Sequence, residues 1–243
     1  MFTRKEIRKL NKFDKIYLLV SGGRDSTFTF LNLWELRNWI KRPVILLHTN
    51  TGNRMKEAEQ TLALYPEQMK IDENSKKSWK RVDLEARKYL PKKPMQIIID
   101  SLKKLDEAKT LLEEGKYSKK VFPCCYWLKK KPFEKWLQLD DHSNDVFILS
   151  IKPGDSNQRG FFLNKLRKEK THFWFNRRHR TWRYYPLRDC KQETVNSFLA
   201  INKLFWNTEH SGCRICPIIA LFDLDKLGVR YTQVQKVLAN IYS

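Results

Sequence analysis

Three groups of residues in this chain have the types and spacing to do chemistry. The first is Ser21-Gly22-Gly23-Arg24-Asp25-Ser26, where small residues let the backbone approach an anion and a helix begins. Unpaired amides at a helix N-terminus attract negative charge, so a nucleotide's phosphates would be held there. The loop lacks the Gly-Lys-Ser/Thr ending of a Walker A sequence. The competing reading is a capped helix start, with Asp25 and Ser26 satisfying first-turn amides. The second group is four of the five cysteines, as Cys124-Cys125 and Cys213-x-x-Cys216. Four thiolates are a ligand set for a [4Fe-4S] cluster or a structural zinc, and in a reducing compartment such grouping points to a metal rather than to disulfides. Adjacent cysteines seldom serve zinc ribbons, which use Cys-x-x-Cys on both sides. Lys129, Lys130 and Lys131 either offset the charge of such a site or form an ordinary exposed helix face. Cys190 reads as a small buried hydrophobe. The third group interleaves Arg177, Arg178, Arg180 and Arg183 with Trp182, Tyr184 and other aromatics. Cations for phosphates beside rings for stacking suit RNA or a single strand, and a solvated loop with a buried aromatic underside is the alternative.

These groups need elements to position them. Residues 15–20 are a short apolar run ending at the first glycine turn, after which Phe28, Phe30, Leu31, Leu33, Trp34 and Leu36 recur at helical intervals. A second strand over 44–48 is followed by a turn and a helix over 54–64. Two strand-turn-helix units in succession predict an α/β fold with a parallel sheet. Residues 74–120, with Trp79, Val82, Ala86, Leu90, Leu102, Leu105 and Leu112 at helical spacing, predict helices outside the sheet. A strand over 146–151, a hairpin over 172–185, a helix over 191–206 and a mostly helical stretch over 218–243 complete the pattern. His48 is expected to be a hydrogen-bonded core residue, and Trp34, Trp39, Trp127 and Trp136 are expected in the core.

The 243 residues carry 48 Lys+Arg against 27 Asp+Glu, a formal charge of +21 that favours a polyanionic partner, nucleic acid first. A solvated lysine-rich surface is the bland alternative. With 41% hydrophobic and 31% charged residues the balance is globular. No segment approaches the ~18 unbroken apolar residues of a membrane span. The first ten residues alternate basic and apolar side chains without a signal-peptide core, so a cytoplasmic location is expected.

The loop's Ser-Gly-Gly-x-Asp-Ser form resembles the PP-loop of ATP pyrophosphatases, which cleave ATP between its α and β phosphates. Four further stretches resemble the phosphoadenylylsulfate (PAPS) reductase branch of that superfamily in order and spacing. They are Asn50-Thr51-Gly52 with Glu57, Lys152-Pro-Gly-Asp155-Ser156-Asn-Gln-Arg159, Pro186-Leu187-Arg188-Asp189-Cys190, and the paired cysteines with Gly212 before Cys213. The resemblance covers about residues 15–220. It implies an open, mostly parallel sheet with helices on both faces, in a PP-loop domain over 1–217 with a helical insertion at about 74–120 and a helical extension over 218–243. It implies ATP and Mg²⁺ as ligands and a [4Fe-4S] cluster on Cys124, Cys125, Cys213 and Cys216. Residues 21–26, Asn50, Gly52, Asp155 and Ser156 would bind the nucleotide, with Asp25, Lys152 and Arg159 as the catalytic set.

The family's reductases use a cysteine in a C-terminal Glu-Cys-Gly-Leu-His tail, and no such tail is present; no cysteine follows Cys216. The expected activity is therefore ATP-dependent sulfur transfer to tRNA or DNA, as in PP-loop tRNA thiolases and DNA phosphorothioation proteins, with sulfide or a donor protein supplying sulfur. Reduction of adenylylsulfate or its 3′-phosphate is the alternative enzyme class, and a nonenzymatic nucleic-acid-binding module the third reading.

Overall fold

The computed structural model describes residues 2–53, 56–70, 79–90, 92–116, 118–155, 157–201, 213–222 and 229–243. In chain order the elements are α1 (Arg4–Leu10), β1 (Ile16–Leu19), α2 (Arg24–Glu35), β2 (Val44–Asn50), α3 (Lys56–Lys70), β3 (Trp79–Glu85), α4 (Pro94–Leu102), α5 (Leu105–Glu113), α6 (Lys131–Leu137), β4 (Val146–Ile148), α7 (Asn157–Lys168), β5 (Phe173–Asn176), β6 (Thr181–Tyr184), α8 (Gln192–Ile201), α9 (Pro217–Phe222) and α10 (Val229–Tyr242). The six strands form one sheet in the order β3-β2-β1-β4-β6-β5. β1 pairs in parallel with β2 and β4, β4 in parallel with β6, and β5 closes an antiparallel hairpin on β6.

Side-chain alternation along the strands assigns the two faces. Ile16, Leu18, Val44, Leu46, Val146 and Ile148 point to one side and join Leu10 of α1, Leu33 of α2 and Leu62 of α3 in the main core. The opposite parity places the Tyr17 ring on Phe147 at 4.8 Å. Farther along that side Leu149, Tyr185 and Trp174 pack with Leu163 and Leu166 of α7. Helices therefore cover both faces, as right-handed crossovers running in opposite directions from β1 require.

Contacts divide the chain into two compact units. The first comprises Met1–His48, Lys56–Asp83 and Leu137–Ser211, and the second Thr49–Met55, Leu84–Trp136 and Gly212–Ser243. The second unit has its own core, built from Ile98 and Leu102 of α4, Leu105 and Ala108 of α5, Phe122, Leu128, Ile215, Ala220 and Val234, with Cys124 among them.

Three expectations need correction. Residues 79–85 are a strand, not a helix: Trp79 stands edge-on to Trp34 at 4.9 Å and joins the rim of the main core, so packing at the sheet edge overrides a spacing that reads as helical. β4 ends at Ile148, short of 151. Trp39, expected in the core, is 61% exposed beyond the end of α2, while Trp34 packs at the core's rim. The helix α1 escaped the sequence reading although Thr3 and Glu6 form a capping box at its start. His48 is a buried core residue whose Nδ1 meets the Val20 carbonyl at 3.1 Å. These placements predict that Leu18→Ala costs about 2–5 kcal/mol in urea unfolding and Trp39→Ala less than about 1 kcal/mol. Equal costs would contradict the burial.

Candidate functional site

β1 is flanked by β2 on one side and β4 on the other, so the direction of strand addition reverses between β1 and β4. In open parallel sheets the crevice beyond the carboxyl ends at such a switch is where ligands bind. The segments that leave β1 and β4 there are the two that the sequence singles out: residues 20–26, and the stretch through Lys152.

The loop is held by its own hydroxyls. The Ser21 amide donates to Ser26 Oγ at 3.2 Å, the Gly23 amide to Ser21 Oγ at 3.3 Å, and Ser26 Oγ to the Gly23 carbonyl at 3.0 Å. Thr27 Oγ1 also bonds the Gly23 carbonyl and meets the Tyr65 hydroxyl at 2.9 Å. Gly22 has φ +74°, and a Cβ there would stand 2.2 Å from the Ala58 carbonyl oxygen, so only glycine suits this position. Gly23 is the N-cap of α2 with φ −90° and makes no side-chain cap bond. The alternative of a self-capped helix is thus not what forms. Ser26 turns back into the loop, Asp25 pairs with Lys152, and the first-turn amides receive no bond from the cap residue.

Lys152, expected to act with Asp25, lies against it. Its ammonium donates to Asp25 Oδ1, although the two are 127 residues apart in sequence. The lysine side chain is 6% exposed and the carboxylate 25%. Arg24 Nη1 reaches Asn196 Oδ1 of α8 at 3.4 Å, and Arg159 is exposed on α7. Ser156 and the Asp155 side chain lie outside the described residues, as does Gly212. Cys190, expected as a small buried hydrophobe, packs against Phe28, Leu187, Val195 and Leu199; burial pushes its thiol up, while Lys152 pulls it down and Asp25 adds to the rise. It therefore stands in the field of the Lys152–Asp25 pair, which the sequence could not reveal.

Asn50 and Gly52 belong to the second unit. Asn50 Nδ2 donates to Glu85 Oε1 at 3.0 Å and its Oδ1 accepts from the Gly52 amide at 3.1 Å, with Gly52 at φ +66°. With Thr51, Arg87 and Pro94 they line a recess of about 220 Å³.

All four paired cysteines belong to this second unit, and none is in a disulfide. Cys124 and Cys125 begin a helical segment that is π-helical over Tyr126–Lys130. The Cys124 amide donates to Ser101 Oγ at 3.1 Å. The loop carrying Cys213 and Cys216 is fixed by Asn53, whose Nδ2 donates to the Ile215 carbonyl at 2.8 Å and whose Oδ1 accepts the Ile215 amide. The Cys124 thiol is pushed up, most by its bond with Cys125, then by burial, with Cys216 adding to the rise. Three soft donors are thus within electrostatic reach, and their mutual repulsion as thiolates is what a bound metal–sulfur group relieves. The donor set suits such a group; among the described residues no three His, Cys, Asp or Glu side chains already converge as a metal site. Lys130 Nζ lies 3.9 Å from Glu134 Oε1 and 5.6 Å from the Tyr126 ring centre, and both it and Lys129 are exposed.

The Arg177–Arg183 group does not form the expected stacking surface. Tyr184 is fully buried against Phe173 at 4.5 Å, and Trp182 is half-buried between Phe13 and Phe175, because β6 is an interior strand of the sheet. Arg177, Arg178 and Arg180 are exposed on the hairpin turn, and Arg183 is half-buried. β6 runs parallel to β4, so that turn lies at the amino ends of the parallel strands, opposite the loop of residues 21–26.

Asp25→Asn is predicted to leave the Lys152 ammonium without its charged partner and to cost roughly 3 kcal/mol in urea unfolding, with much of the loss recovered by adding Lys152→Met. Additive losses would contradict a coupled pair. Gly22→Ala should cost about 3 kcal/mol or more and Gly23→Ala about 1 kcal/mol, by the same measurement.

No family model and no curated protein matches this chain. Among solved structures it is similar to the U34-tRNA thiolase NcsA from Methanococcus maripaludis with its [4Fe-4S] cluster, at 17% identity over 98% of this chain and 78% of that one, TM-score 0.49. It is also similar to a predicted subunit of tRNA methyltransferase from Methanocaldococcus jannaschii, at 17% identity over 77% and 75%, TM-score 0.36. A third is the PAPS reductase from Candida auris in its phosphate complex, at 12% identity over 85% and 90%, TM-score 0.43. By its own strand order and helix placement, the chain has the open, mostly parallel α/β architecture that its motifs led us to expect.

Proposed function

We propose that this protein is an ATP-using, iron–sulfur sulfurtransferase that modifies a nucleic acid. The observation that carries the reading is the Lys152–Asp25 pair beside the first turn of α2, at the β1/β4 switch point. An acceptor oxygen attacks the α-phosphorus of ATP; the bond from that phosphorus to the bridging oxygen breaks and pyrophosphate leaves into the loop of residues 21–26. A sulfur nucleophile, sulfide or a donor's sulfur, then attacks the acceptor atom bearing the adenylate, and AMP departs. Lys152, Arg24 and Arg159 balance phosphate charge, and the α2 amides bind the leaving pyrophosphate. Asp25 would be the residue to hold a Mg²⁺, since a hard cation takes oxygen ligands. By their motif resemblance, Asn50, Gly52, Asp155 and Ser156 would also bind nucleotide.

Cys124, Cys125, Cys213 and Cys216 would hold the [4Fe-4S] cluster, which would supply either a structural tie or an iron that carries sulfur. The +21 charge supports tRNA or DNA as the acceptor, and the exposed Arg177, Arg178 and Arg180 add phosphate contacts remote from the reaction. The Cys190 thiol near Lys152 favours the second reading, a thiol-dependent reductase of adenylylsulfate or its 3′-phosphate. Burial that raises its pKa weakens it as the nucleophile that reaction needs.

Anaerobically purified protein is predicted to contain about four irons per chain, and to lose them on Cys→Ser substitution at 124, 125, 213 or 216 but not at 190. Incubated with ATP, Mg²⁺, sulfide and bulk tRNA or DNA, it should yield thionucleosides or phosphorothioate linkages, detected by mass spectrometry after nuclease digestion. Sulfite released from adenylylsulfate instead would establish the reductase.

A further inference from the structure

The first unit contains a cavity of about 690 Å³ that the reaction as described leaves unused. Its position is set by α2. Arg24, Phe28 and Asn32 follow one another at four-residue steps and so share a helix face. Arg24 is at the phosphate loop and contacts α8, whereas Phe28 and Asn32 line the cavity. Cys190, which also lines it, stands in the field of Lys152 and Asp25. The cavity therefore adjoins the phosphate loop.

Its chemistry is selective. Phe28 and Phe198 meet edge to face at 4.9 Å, and with Pro186 they supply a broad apolar wall. Glu6 and Asp189 also line it, but both carboxylates are already engaged. Glu6 accepts from the Thr3 amide and hydroxyl, each at 2.8 Å, and stands 3.5 Å from His172 Nδ1. Asp189 accepts from Arg167 Nε at 2.7 Å and Arg188 Nε at 2.9 Å. Burial alone would raise the Asp189 pKa, yet the bonds from Arg188 and Arg167 hold the carboxyl below its usual range. Lys191 lines it as well, so one ammonium stands with two carboxylates that already have partners, and the lining carries no large net charge. A flat, uncharged ring with hydrogen-bonding edges suits the aromatic wall together with Asn32 and Thr194. The volume lies within the ~300–1,000 Å³ usual for small-molecule sites, ample for a nucleoside.

We propose that this cavity takes the nucleobase of the acceptor, extruded from its strand. The inference rests on the proposed function for the word acceptor, but the cavity's preference for an uncharged heterocycle stands on its lining. The base would enter beside Cys190, on the side of the Lys152–Asp25 pair where ATP is attacked. Extruding a base costs a few kcal/mol, which contacts in such a pocket repay.

Cys190 is a built-in reporter. In the full-length protein its alkylation by iodoacetamide, followed by mass spectrometry of the Cys190 peptide, should slow at least about fivefold with one of uridine, cytidine, adenosine or guanosine at saturating concentration. The protection should persist when ATP·Mg²⁺ is added. Phe198→Leu, which keeps packing volume but removes the ring, and Thr194→Val should each reduce it several-fold, with unfolding midpoints confirming that both variants fold. Failure of all four nucleosides to protect would overturn the proposal. So would ATP abolishing nucleoside binding by competition, since the cavity would then be the base site of ATP itself. If nucleosides protect while calorimetry finds no ATP binding, the cavity assignment stands and the adenylating reading falls.

Discussion

The organisation of the first unit turns on one ion pair. A lysine side chain that is 6% exposed needs a partner for its ammonium, and here Asp25 supplies it from the first turn of the neighbouring helix. That pairing demands that β1 and β4 be adjacent and parallel, that α2 begin where β1 ends, and that nothing bulky intervene. Gly22 meets the last demand by letting α3 approach the loop to a distance no side chain would permit. Gly23 offers no capping side chain, so the helix start is left ready for an anion instead of being closed on itself. A phosphate entering the crevice would meet an ammonium and helix amides together, while Asp25 would become available to a cation.

The loop of residues 21–26 was legible because its geometry is local: six contiguous residues carry the turn, the helix start and the carboxylate. Lys152 was legible through a motif resembling a known family, but its contact with Asp25 depends on strand order, which no linear spacing reveals. Three-dimensional packing also decided the misread residues. Trp79 and Val82 have helical spacing yet lie in β3, where aromatic packing at the sheet edge outweighs the pattern. Trp182 and Tyr184 look like a stacking surface in one dimension, but a strand paired on both sides hides alternate side chains, and Tyr184 is one of them. Cys190 packs against the Phe28, Leu187, Val195 and Leu199 cluster as a small hydrophobe should, but the influence of Lys152 and Asp25 on its thiol depends on the fold and has no trace in linear order.

The second unit follows a different logic. Three separate stretches of chain contribute to it, so its helical core could not be outlined from any continuous segment. Its cysteines are placed by ordinary polar bonds, Ser101 to the first pair and Asn53 to the loop of the second. Cys125, burial and Cys216 all oppose ionisation of the Cys124 thiol, a cost that binding to a metal–sulfur group would offset. Sequence spacing singled out the four cysteines, and the polar bonds that place them were not visible in it.

The central claim is that the crevice between β1 and β4 directs attack at the α-phosphorus of ATP. The most direct measurement is to incubate the anaerobic protein with nucleic acid, sulfide, Mg²⁺ and ATP labelled at the α-phosphate, and to separate the labelled products. The account predicts labelled AMP with pyrophosphate formed in equal amount, lost when Lys152 is replaced by Met. Labelled ADP with inorganic phosphate would mean cleavage at the γ-phosphate and would contradict it.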